Sequence, residues 1–304
     1  MDEPGPVPDR APIDDRAVIA PLDGAAVTAA LAAAIGDRVG RVVVVPRTAS
    51  TSTDLLEALL ADPMAWPDRS VLVADHQTAG RGRTGRTWST PARAALTASV
   101  LLRPPVQLDR FGWVPLLAGL AVVQAMGDVA GVRAVVKWPN DVLLAAPDGS
   151  SVPGWGTWRK VAGVLGDLVA TAYGPAVVVG IGVNVSQQDG ELPVPSASSL
   201  TLAGHGAVDR TALLAAVVGR LVALDERWRD AGGDARAAGL ADECSAVCST
   251  LGARVRVELP GGGLLEGTAT GLAADGGLEV TDAAGRVTPV LAGDVRHVRS
   301  VGLA

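Results

Sequence analysis

Nine residues, Gly80-Arg81-Gly82-Arg83-Thr84-Gly85-Arg86-Thr87-Trp88, hold three glycines, three arginines and a closing tryptophan. Arginine presents planar N–H donors that match phosphate or carboxylate. Glycine lets the backbone bend through φ > 0 and approach a ligand closely. Tryptophan offers a flat face to a base. The stretch reads as a loop that wraps an anionic ligand carrying an aromatic ring. An ordinary basic surface loop is the competing reading. Further polar islands interrupt apolar segments elsewhere: Thr48 to Asp54 with five hydroxyls, Asn140-Asp141, Lys160, and Asn184 following Gly180 and Gly182.

The loop matches G-x-G-x-x-G, but a dinucleotide fold needs a helix to begin inside the motif. Arg86-Thr87-Trp88-Ser89-Thr90-Pro91 is no helix start, and no GxxxxGK[ST] occurs in the chain. A Rossmann site and a P-loop are therefore excluded. An RNA-binding glycine–arginine segment would be repeated, whereas this one is single and lies between strands. What remains is a nucleotide site built outside the common folds. Arg83 and Arg86 would hold phosphates and Trp88 would stack on a base. Asn140 and Asp141 suit a metal or ribose, Lys160 a second anion, and Asn184 a phosphate. Such a set suits attack of a carboxylate on the α-phosphate of ATP, because two anions approach only among several cations and Mg²⁺. The local alternatives are plain: Thr48 to Asp54 as an N-cap segment for the helix that follows, and Asn140-Asp141 as an Asx-turn.

These residues need a scaffold. The chain has 304 residues and is 48% hydrophobic, enough for a sizeable core and more than one domain. Its net charge of −6 argues against a general nucleic-acid binder, so the arginines form a local site. Residues 1–22 are rich in proline and acids and are expected to be disordered. Strands are expected at Val42 to Val45, Ser70 to Asp75, Ala95 to Leu102, Arg133 to Val136, Arg159 to Gly166 and Ala176 to Val185. Helices are expected at Ala25 to Ile35, from Leu55 to Leu60, at Phe111 to Met126 and at Arg210 to Trp228. Ala145 to Thr157 reads as a loop carrying Trp155, with Trp158 just beyond it. Gly180, Gly182 and Asn184 alternate, so they share one strand face and leave room for something to lie against it. From about Thr250, short alternating runs separated by glycine turns make a five-stranded barrel. Cys244 and Cys248 read as small buried thiols of a reducing cytosol. The acidic start is unlike a signal peptide, and the apolar run Val114 to Met126 is too short for a bilayer. A soluble, cytoplasmic protein is expected.

Five motifs in order then establish a resemblance over roughly residues 40 to 300: Ser50-Thr51-Ser52, Gln77 with the GRGRTGRTW loop, Lys137-Trp138-Pro139-Asn140-Asp141, Lys160-Val161-Ala162-Gly163-Val164-Leu165, and Gly180-Ile181-Gly182-Val183-Asn184-Val185. The chain resembles the biotin protein ligases. The resemblance implies an α+β fold: a mixed sheet flanked by helices, like class II aminoacyl-tRNA synthetases, over residues 23–248, and a C-terminal SH3-like barrel over 249–304. It implies formation of biotinyl-5′-AMP from biotin and MgATP, then transfer to a lysine of the biotin carboxyl carrier domain of acyl-CoA or pyruvate carboxylases. A lipoate–protein ligase and a non-catalytic nucleotide-binding module are the alternatives.

By the same resemblance, Ser50, Thr51, Ser52 and Gln77 belong to the biotin head, with backbone at Gly80, Arg81 and Gly82 closing over it. Gly163, Gly180 and Gly182 make room for its rings. Lys160 and Arg83 carry the catalysis and touch both ligands. Arg86, Trp88, Asn140, Asp141 and Asn184 belong to the adenylate, with Asp141 also near Mg²⁺. Ser52 departs from the family's usual Asn. About 40 residues precede the first strand, too few for the DNA-binding domain some members carry. A monomer or weak homodimer that binds neither DNA nor membrane is expected.

Overall fold

The computed structural model describes residues 19–259 and 263–291, together with the backbone of residues 294–297. In chain order, α1 (Gly24–Ile35), β1 (Val42–Val45), α2 (Thr51–Ala61) and β2 (Val71–Ala74) lead to a hairpin of β3 (Gly80–Arg81) and β4 (Thr87–Trp88). Then come β5 (Ala95–Leu102), α3 (Val114–Ala130), β6 (Val135–Lys137), β7 (Asp141–Ala145), β8 (Trp158–Thr171) and β9 (Gly174–Asn184). Helices α4 (Arg210–Asp230) and α5 (Leu240–Ala246) precede β10 (Arg254–Glu258), β11 (Leu264–Leu272), β12 (Leu278–Thr281), β13 (Val287–Val290) and β14 (Asp294–His297).

Seven strands form one sheet in the order β1-β2-β5-β9-β8-β7-β6. The β1–β2 pair is parallel and the other neighbours are antiparallel, which makes the sheet mixed. Strand alternation divides its two faces. Leu96, Ala98, Val100 and Leu102 of β5, with Val177, Val179, Ile181 and Val183 of β9, join the large core under α1, α3 and α4. The opposite face packs Leu101 and Val178 against Leu55 and Leu59 of α2. Beyond that small cluster the second face turns polar or bare, with Thr97 and Ser99 on β5 and Gly180 and Gly182 on β9. The site lies there.

Helix α3 is apolar nearly all round because it is enclosed, and Gly131 ends it in the left-handed conformation (φ 65°) with its N–H donating to Gly127 O. The expected disordered stretch ran to residue 22. Residues 1–18 lie outside the described residues, but Arg210 donates to Ala20 O at 2.9 Å and Leu22 N donates to Asp75 at 3.1 Å. Residues 19–22 are thus tied to the first domain, within the stretch expected to be disordered.

Five antiparallel strands in the order β13-β12-β11-β10-β14 form the second sheet. It docks on the first domain through its Ala273–Gly276 turn. Trp113 Nε1 donates to Ala274 O at 3.0 Å and Trp138 Nε1 to Gly276 O at 3.1 Å. Gly112 is required at this junction, since a Cβ there would collide with Asp275 O.

A part-buried charge cluster around the buried Asp225 ties α4 to the entry of β2. Arg229 bridges Asp68 (2.5 Å) and Asp225 (2.7 Å). Arg69 reaches Glu226 at 3.0 Å. Burial pushes the Asp225 carboxyl up to about 6, although Arg229 acts in the opposite direction. A carboxyl raised in the folded state favours folding most below its unfolded value and loses that contribution as pH rises through about 6. Urea unfolding is therefore expected to show a stability term of roughly 3 kcal/mol lost between about pH 4 and pH 7. Asp225→Asn should flatten that slope; an unchanged slope would place its origin elsewhere.

Candidate active site

The motif residues converge on one cavity of about 1320 Å³ on the bare face of the seven-stranded sheet. Its floor follows the strand order. Gly180 and Gly182 lie on β9, Gly163 and Lys160 on β8, Asp141 on β7 and Lys137 on β6, with Ser99 of β5 fully buried behind Thr51 and Ser52. Register supports this directly, since Gly163 pairs with both Gly182 and Asp141.

At the β5 end, Ser50 caps α2 and accepts from Thr53 N. The capping role expected of the hydroxyl run is thus carried by Ser50, which leaves its neighbours for other work. Thr51 N and Thr51 Oγ1 both donate to Gln77 Oε1, at 2.7 and 2.9 Å. Ser99 Oγ donates to Thr51 Oγ1 at 2.8 Å and lies 3.0 Å from Ser52 Oγ. Ser50, Thr51, Ser52, Gln77 and Ser99 are all buried. Buried polar groups need such mutual satisfaction. The network leaves the Gln77 amide nitrogen pointing toward Gly80, where an added Cβ would sit 2.8 Å from it.

The glycine–arginine stretch is not an open loop. Gly80 pairs with Trp88 and Arg81 with Thr87 in a two-stranded ribbon closed by a turn over Arg83–Gly85. Thr84 takes a left-handed conformation there (φ 54°). No α-helix begins in the motif, as a dinucleotide fold would require; only a single 3-10 turn spans Arg83–Gly85. Arg81 is tied to β8 by a bidentate pair with Asp167, at 3.0 and 3.1 Å. Arg83 Nη1 donates to Asn140 Oδ1 at 3.4 Å. Arg86 and the exposed turn complete this wall.

The room over the glycines has occupants in this structure. Ser52 Oγ faces Gly180, and the Trp88 indole lies on Gly182, where a Cβ would stand 2.7 Å from Cε2. Gly163 makes way for both Lys160 and Trp88. The alternation seen in the sequence is real, and the first ring it accommodates is the chain's own.

Lys160 sits at the centre of the floor. Its Nζ is 2.5 Å from Asp141 Oδ1 and 5.6 Å from the Trp88 ring centroid. Its backbone is fixed by donation to Ser196 O and acceptance from Ser198 N. Lys137-Trp138-Pro139-Asn140-Asp141 forms the tight turn between β6 and β7, with a cis Trp138–Pro139 bond. Asn140 Nδ2 donates to Val164 O at 2.9 Å, which anchors the turn to β8. Asn184 lines the cavity but is largely buried: it donates to Ser198 O and accepts from Gln187 Nε2. It shapes the loop that holds Lys160.

Three contributors were absent from the sequence reading. Ser99 is one; with Thr97 it puts two hydroxyls at alternate positions of a buried strand, and that was its signal. Asp167 is the second, and nothing local marked it. The third is the barrel, since Arg256 reaches the cavity wall from β10. The cysteines take no part. Cys244 and Cys248 are free and buried, and burial pushes the Cys244 thiol up to about 12. No group of three or more His, Cys, Asp or Glu side chains gathers among the described residues. Asp141 offers one carboxylate, which fits a Mg²⁺ ion held mainly by phosphate oxygens.

The Biotin/lipoate A/B protein ligase family model matches residues 44–184, and the biotin protein ligase C-terminal domain model matches residues 250–298. The biotin–[acetyl-CoA-carboxylase] ligase of Mycobacterium tuberculosis is 38% identical over 294 residues, covering 95% of this chain and 97% of that protein. The bifunctional ligase/repressor BirA of Bacillus subtilis is 33% identical over 54% of this chain and only 47% of its own length. The solved biotin protein ligase of Aquifex aeolicus in complex with biotin and ATP superposes with a TM-score of 0.65 at 26% identity, covering 85% of this chain and 99% of that one. The chain belongs to the biotin protein ligase family, with its catalytic fold and C-terminal barrel.

Proposed function

We propose that this protein joins biotin to ATP as biotinyl-5′-AMP, releasing pyrophosphate, and then passes the biotinyl group to a lysine of a biotin carboxyl carrier domain in acyl-CoA or pyruvate carboxylases. The observation that carries the reading is one continuous cavity. It has a closed hydrogen-bonding network at one end, an anion-binding ribbon as its wall and Lys160 between them. Catalysis is assigned to residues 23–248 and the barrel to 249–304.

In this reading the ureido head lies at the Ser50, Thr51, Ser52 and Gln77 end, closed by Gly80, Arg81 and Gly82. Gly163, Gly180 and Gly182 keep the floor flat beneath it. The carboxylate comes to Lys160. Its oxygen forms a bond to the α-phosphorus as the bond to the pyrophosphate oxygen breaks. Lys160 neutralises charge on both anions, and Asp141 holds the ammonium in place. Arg83 and Arg86 face the phosphates, Trp88 the base, and Asn140, Asp141 and Asn184 the nucleotide surroundings. Mg²⁺ bound to ATP would lessen the triphosphate's charge, with Asp141 as the protein's ligand. In the second step the carrier lysine amine attacks the acyl carbon and AMP leaves. Two free buried cysteines suit a reducing, cytoplasmic setting.

Incubation with a purified carrier domain, labelled biotin and ATP tests the whole reading, with labelled carrier as the expected product. Titration calorimetry with biotin and with lipoate tests the substrate; binding of lipoate alone would overturn biotin. A further expectation concerns the ribbon. Arg83→Gly removes a charged donor from the wall facing the adenylate, so bound biotinyl-AMP should dissociate at least about ten-fold faster. An unchanged residence time in a chase experiment would remove Arg83 from that role.

A further inference from the structure

The connection between β7 and β8 folds back on the site as a small hairpin of its own. Val152 N donates to Gly156 O and Gly156 N to Val152 O, at 2.9 and 2.8 Å, and Ala146 N donates to Thr157 O at 2.7 Å. Arg159 braces it from below. Its guanidinium is buried and donates to Gly156 O, Trp158 O, Ser150 O and Ser150 Oγ, all within 3.1 Å. A buried arginine with four acceptors fixes a loop in place. The hairpin tip carries Trp155, half-buried, with Lys137 Nζ 4.9 Å from its ring centroid. Val152, Pro153 and Trp155 all form cavity wall.

The strand order shows which part of the cavity this wall faces. Moving across β5, β9, β8, β7 and β6, one meets Ser99, the glycine floor, Lys160, Asp141 and finally Lys137 beneath Trp155. If biotin fills the Ser99 end with its carboxylate at Lys160, whatever lies beyond Lys160 belongs to the nucleotide. From this placement we infer that Trp155 is a nucleotide-binding residue, an aromatic wall that contacts ATP on the side away from biotin. The inference rests on the proposed adenylation for its orientation. It adds a second aromatic surface to Trp88, whose indole is already seated on Gly182. Lys137, held against the indole, is placed to meet phosphate oxygens from the same direction.

The test is a steady-state comparison of biotin-dependent pyrophosphate release. Trp155→Ala should raise KM for ATP about ten-fold while KM for biotin changes by less than about two-fold, as expected for losing one aromatic contact. Trp155→Phe should bring KM for ATP back to within about three-fold of the parent, because a ring is restored. An unchanged KM for ATP, or an equal rise in both KM values, would overturn the inference. Calorimetric titration with ATP alone separates this claim from the function it rests on. ATP affinity lost in Trp155→Ala supports the contact even in a protein that releases no pyrophosphate. Unchanged ATP affinity in an active enzyme refutes the contact and leaves the adenylation reading standing.

Discussion

Lys160→Ala is expected to slow biotin-dependent pyrophosphate release by about 10²–10³-fold, the usual consequence of removing one preorganised group that meets developing charge. The geometry explains why no neighbour should compensate. Lys160 Nζ lies 2.5 Å from Asp141 Oδ1, above a glycine floor that brings no competing side chain. The arginines of the ribbon sit on a separate wall. Alanine also leaves Asp141 without its partner, so negative charge would face two incoming anions, and both binding and chemistry should suffer. Stability should change by less than about 1 kcal/mol, because the pair is partly exposed. The deciding measurement is adenylate formation by a variant whose unfolding transition matches the parent. Near-parental rates in such a protein would strip Lys160 of its assigned role. Lys160→Arg is expected to recover little, since the longer planar group does not fit between Trp88 and Asp141.

What was legible in the sequence were features that declare themselves locally. The glycine alternation on β9 required room on that face, and Ser52 and the Trp88 indole take it up. The helical spacing after Asp54 required a capped helix, and Ser50 caps it. The texture change near residue 250 required a separate β unit, and five strands form it. What stayed hidden were pairings made by folding. Arg81 and Asp167 lie 86 positions apart and meet only because the ribbon folds over β8. Trp138 belongs to a motif on the cavity wall, yet its buried indole donates to Gly276 O of the second sheet, 138 positions away. Asn184 lines the cavity beside two glycines, and its amide also braces the neighbouring loop, donating to Ser198 O and accepting from Gln187 Nε2, pairings that no local pattern announces. A strand's periodicity says which face a residue shares. It does not say what arrives on that face, and Trp88 over Gly182 is the clearest instance.

That contact sets the second large effect. Gly182→Ala puts a methyl group 2.7 Å from Trp88 Cε2 and 2.9 Å from Cζ2 and Nε1. The indole is rigid and its backbone is paired with Gly80, so it cannot simply swing aside. Gly80 in turn has Gln77 Nε2 and Trp88 O within 2.8 Å of where its own Cβ would be. Pressure at Gly182 is therefore passed to the whole ribbon, which carries Arg83 and Arg86. Overpacking of this kind costs about 1–3 kcal/mol, and a displaced ribbon should lower kcat/KM for ATP by about 10–100-fold. The unfolding midpoint should fall accordingly. A double-mutant cycle with Trp88→Ala isolates the cause. Without the indole the added methyl meets no ring, so Gly182→Ala should cost almost no stability in that background. An equal cost with and without Trp88 would mean that the glycine is required for the strand itself and not for the ring that lies on it.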